Sequence, residues 1–87
     1  SPDAKTTAER LQTIVLLTEW PKDLQPQARA LAALFAEMAR VVEGDDKAKA
    51  GDAIKKAHDG YHDFTHGVWE HLYDEAGLTS GTASHGH

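Results

Sequence analysis

Two interruptions divide this chain into three stretches, and each stretch carries apolar residues at the period of a helix. The interruptions are Trp20-Pro21 and Gly44-Asp45-Asp46. Proline pushes the residue before it out of the α region, and glycine followed by aspartate supplies a helix end and then a helix cap. Before the first break, Ala8, Leu11, Ile14, Val15 and Leu17 recur at helical spacing. Between the breaks, Ala28, Leu31, Ala32, Phe35, Met38, Ala39 and Val42 trace one broad apolar face, which Leu34 and Val41 widen. Beyond the second break, Ile54, Ala57, Tyr61, Phe64, Val68 and Leu72 form a third stripe. No segment alternates with a period of two over a useful length, and no heptad run is long enough for a coiled coil. The fold class expected is therefore all-α.

The spacing predicts helices over residues 4–20, 26–43 and 47–76, with Asp3 as a cap for the first and Gly77 ending the last. The third would be about 45 Å long, against about 25 Å for each of the others. Gly51, Gly60 and Gly67 each cost about 1 kcal/mol relative to alanine in a helix interior, and a break near Gly51 would give four helices instead of three. The expectation is a small antiparallel helical bundle in one domain, residues 1–78, followed by a flexible tail, residues 79–87, that contains His85 and His87. With 87 residues the chain buries a modest fraction of its surface, so a homodimer is expected.

Composition removes several function classes. A formal net charge of −5 leaves no basic stripe to neutralise phosphates, which argues against nucleic acid as a partner. The longest apolar run, Ile14 to Leu17, is far too short to span a bilayer. There is no cysteine, which excludes thiolate zinc sites, iron–sulfur clusters, disulfide scaffolds and C-x-x-C-H haem attachment. No serine or threonine stands in a nucleophile-elbow context and no glycine-rich phosphate loop occurs. The Ser1-Pro2 start and the wealth of histidine favour an extracytoplasmic, periplasmic-type location.

Chemistry concentrates in the third stretch. His58, His62 and His66 fall at i, i+4 and i+8, with Asp59, Asp63, Glu70 and His71 among and after them. On a helix the three histidines form a ladder, and i, i+4 is the spacing at which two imidazoles can share one ion. Neutral imidazole suits copper, zinc and nickel, while carboxylates serve as extra ligands or as acceptors that orient an imidazole N–H. His58 and His66 stand about 12 Å apart along the axis, so one helix cannot wrap all three around one ion. The first two helices hold no histidine, and a second copy of the third helix across a two-fold axis is the simplest way to complete a site. Trp69 and Tyr73 share the histidine sector, and aromatic residues with a polar handle are enriched at interfaces.

Three readings follow. The first is a small protein that binds or senses a transition metal (copper, zinc or nickel) through His58, His62 and His66, with Asp59, Asp63, Glu70 and His71 as further donors. The second is a non-catalytic interaction or dimerisation domain in which the histidines merely border the core and Trp69 and Tyr73 make the contact. The third is an interface whose imidazoles charge together below about pH 6.5. Binding is expected over catalysis, because nothing in the sequence identifies a substrate pocket. The His66/Glu70 pair looks like one element of a hemerythrin site, yet that family draws histidines from several helices. Ferritin-like sites need E-x-x-H on two helices, and this chain has no E-x-x-H.

Overall fold

The computed structural model describes residues 2–78, and the expected tail with His85 and His87 lies outside the described residues. Three α-helices, α1 (Pro2–Leu17), α2 (Gln25–Val41) and α3 (Lys47–Glu75), pack together, with a 3-10 turn at Lys22–Leu24 between the first two. No strand occurs among the described residues. None of the described helices is long and apolar enough to cross a membrane.

Local chemistry accounts for most boundaries. α1 starts at Pro2, so Asp3 sits inside its first turn, where a carboxylate favours the positive end of the helix dipole. It ends at Leu17, three residues earlier than the expected Trp20. Trp20 is drawn out of the helix instead. Its Nε1–H donates to the Val15 carbonyl at 2.8 Å, and its ring meets Phe64 edge-on at 4.8 Å. Pro26 stands in the first turn of α2, where its missing N–H is no loss. Asp46 caps α3 by accepting from the Lys49 N–H at 3.0 Å, and Gly77 closes it with a φ of +78°. α3 runs unbroken through Gly51, Gly60 and Gly67.

α2 is the central helix, packed against α1 on one side and α3 on the other. Lys5 near the start of α1 pairs with Glu43 just past the end of α2, so these two run antiparallel. Along α3, Gly60 faces Leu34 and Gly67 faces Leu24, so α3 also runs against α2. The core comprises Val15, Leu24, Ala28, Leu31, Ala32, Phe35, Ala57 and Phe64.

The buried face of α3 departs from the expected stripe. Ala53, Ala57 and Phe64 are buried and Gly60 is half-buried, whereas Ile54, Tyr61 and Leu72 remain about half exposed at 48%, 49% and 49%. The helix is turned by about 55° toward its small residues relative to the apolar periodicity. The cause is close packing: a Cβ at Gly60 would overlap Leu34 Cδ1, so glycine lets the backbone of α3 settle onto α2. Ile54, Tyr61 and Leu72 are thereby carried to the side that faces α1, which does not cover them.

Candidate functional site

All four histidines of the described chain stand on α3. His58 and His62 are exposed and adjacent, one helical turn apart. Their Nε2 atoms lie 3.2 Å from each other, with ring centroids 4.5 Å apart and planes at 87°. If one ring carries its proton on Nε2 and the other on Nδ1, this contact is an N–H···N hydrogen bond. If both carry it on Nδ1, two lone pairs converge on a point that a cation would fill. Two nitrogens bound about 2.0–2.1 Å from a tetrahedral zinc stand about 3.3 Å apart, which is close to the observed separation. The Tyr61 ring approaches His62 at 6.1 Å.

The other expected donors are directed elsewhere. Asp59 accepts from Lys55 Nζ at 2.8 Å. That hydrogen bond holds its carboxyl below the usual carboxylate range, with the charge of Lys55 and then the neighbouring His58 and His62 adding to the effect. His66 Nε2 lies 3.4 Å from Glu70 Oε1. His71 turns the other way, to Asp23 in the 3-10 turn, with Nδ1 3.0 Å from Oδ2. The hydrogen bond from His71 is the main cause that lowers the Asp23 carboxyl. Asp63 is exposed. The seven expected ligands are thus dispersed around the helix, and no three histidine or acidic side chains converge on one point among the described residues.

Beside the histidine pair lies an apolar groove of about 370 Å³ between α1 and α3. Leu31 and Phe35 of α2 contribute to it, with Leu11 and Ile14 on the α1 side and Trp69 and Leu72 on the α3 side. Ile14 is 59% exposed and Trp69 56% exposed. Trp69 sits 6.2 Å from Tyr73, which is half-buried. A smaller pocket of about 310 Å³ is lined by Ile54, His58 and Tyr61, along with Leu11 and Met38. His58 and Tyr61 therefore stand where the imidazole pair meets the apolar surface.

Sequence reasoning missed Asp23 as the partner of His71. The two are 48 residues apart, and no local spacing signals such a contact. It also missed the groove, because Ile54, Tyr61 and Leu72 carry the same apolar periodicity whether α1 covers them or not. The glycines were the available signal: Gly60 and Gly67 share one side of α3 with Ala53 and Ala57, and that small-residue side is the one that packs on α2. Comparison of the chain with protein families, with curated proteins and with solved structures finds no match.

Proposed function

We propose that this chain is a small helical protein that binds a transition-metal ion, zinc, nickel or copper(II), through His58 and His62. The observation that carries the reading is the 3.2 Å separation of the two Nε2 atoms at i, i+4 on a single rigid helix. A helix turn fixes the spacing, so little ordering is needed when the ion arrives. Asp59 stands beside the pair with Lys55 bound to it, so its charge is largely offset there. The test is a zinc, nickel and copper titration of the full chain carrying His85→Ala and His87→Ala, followed by mass spectrometry under native conditions. A bound ion that disappears in His58→Ala and in His62→Ala supports the reading. Undiminished binding in both variants sinks it.

A second reading is favoured by the half-exposed Ile14, Tyr61, Trp69 and Leu72. These side chains make an apolar surface suited to a dimerisation domain, with the histidines at its border. In that case Trp69→Ala weakens self-association, and added metal changes nothing.

A further inference from the structure

We infer that the ion held by His58 and His62 joins two copies of this chain, each copy supplying the same two imidazoles. This rests on the metal-binding reading and names the partner that completes the site.

The argument begins with ligand number. A closed tetrahedral site takes four donors, and the described residues of one chain bring two together. Of the further candidates, Asp59 is held by Lys55, His66 by Glu70, and His71 by Asp23 on the opposite side of the helix, while Asp63 is exposed and does not converge with the pair. Among the described residues no third histidine, aspartate or glutamate joins the pair. The remaining positions on the ion are filled from beyond these described side chains.

The surface beside the pair selects what fills them. Ile54 and Tyr61 are half exposed and line an apolar pocket together with His58. Water completing the coordination would leave that surface wet. A second α3 laid across a two-fold axis at the ion brings its own His58 and His62 to the open positions, and its Ile54 and Tyr61 toward the same strip. An isologous contact of this kind uses one surface patch twice. Charge fits as well. Two chains of formal charge −5 repel, and a divalent cation placed where they meet offsets part of that repulsion. Association is then conditional on the ion.

Sedimentation velocity and native mass spectrometry of the full chain, carrying His85→Ala and His87→Ala, test this with zinc and with a chelator. The expected result is a monomer in chelator and a dimer in zinc holding one ion for every two chains. His62→Ala should stay monomeric and ion-free. Tyr61→Glu and, independently, Ile54→Glu should shift the zinc-loaded protein toward a monomer with one ion per chain. A zinc-loaded wild-type monomer with one ion overturns the bridging inference and leaves the metal-binding reading standing. A dimer that persists unchanged in chelator also overturns it. No bound ion under any condition overturns the metal-binding reading itself.

Discussion

Gly60 of α3 lies against the side chain of Leu34 on α2, and there is no room for a Cβ between them. Gly51, two turns and a half earlier on the same helix, has nothing within 4 Å of where its Cβ would stand. The two glycines thus separate helix propensity from packing. Gly51→Ala should raise stability by about 0.5–1 kcal/mol, because alanine is the better helix former and nothing is displaced. Gly60→Ala gains the same propensity but obliges the tip of the half-buried Leu34 side chain to move, which offsets part of that gain. It should come out less stable than Gly51→Ala. Thermal unfolding of the two variants side by side decides the matter; equal stabilisation in both would mean that the helix contact is loose.

Trp20 and Trp69 should behave in opposite ways. Trp20 donates to the Val15 carbonyl and packs edge-on against Phe64, so Trp20→Phe should cost about 1 kcal/mol through the lost hydrogen bond. Trp69 is mostly exposed on the groove, and Trp69→Ala should leave monomer stability within about 0.5 kcal/mol. Chemical denaturation at low protein concentration, where self-association is absent, measures both.

The contact between His71 and Asp23 makes a prediction for acid. The hydrogen bond from His71 lowers the Asp23 carboxyl in the folded chain, so the unfolded chain takes up that proton first as pH falls. The stabilisation is present in full above the ordinary carboxylate value and is lost as pH falls through the lowered one. Asp23→Asn should therefore lose less stability than the parent as pH falls from about 5 through and below the ordinary carboxylate value. Unfolding midpoints across that range provide the comparison, and parallel curves would count against the link.

Ion binding at His58 and His62 should itself depend on pH, because a protonated imidazole cannot ligate. Zinc affinity should be lower at mildly acidic than at neutral pH. At an ion concentration about a hundredfold above Kd, folded-state stabilisation should reach about 2.7 kcal/mol, and it should vanish in His62→Ala. Differential scanning calorimetry at neutral and mildly acidic pH, with and without zinc, reads both effects.

The helices were legible in the sequence because their signals are local. Pro21, the Gly44-Asp45-Asp46 turn and Gly77 act within a few residues of the boundaries they set. The end of α1 was misjudged because Trp20 takes its place through contacts with Val15 and with Phe64 on another helix. The rotation of α3 escaped for a related reason. Tyr61 and Phe64 look equally apolar on a wheel, and only the fit of Gly60 to Leu34 decides which of them turns inward. In the site, the His58/His62 pairing was readable because helix pitch alone produces it. The partners of His66 and Asp59 lie within one turn and were open to the same reasoning, whereas the capture of His71 by Asp23 depends on tertiary structure.

Gly60 stands between His58 and His62 in the chain, so the turn that presents the imidazoles is the same turn that rests on Leu34. Apart from proline, glycine is the residue least inclined to hold a helical turn, and packing places it between the two imidazoles. A cation clasped by the two imidazoles would act as an external splint on that turn. The contact with α2 and the spacing of the two imidazoles therefore share one turn of α3.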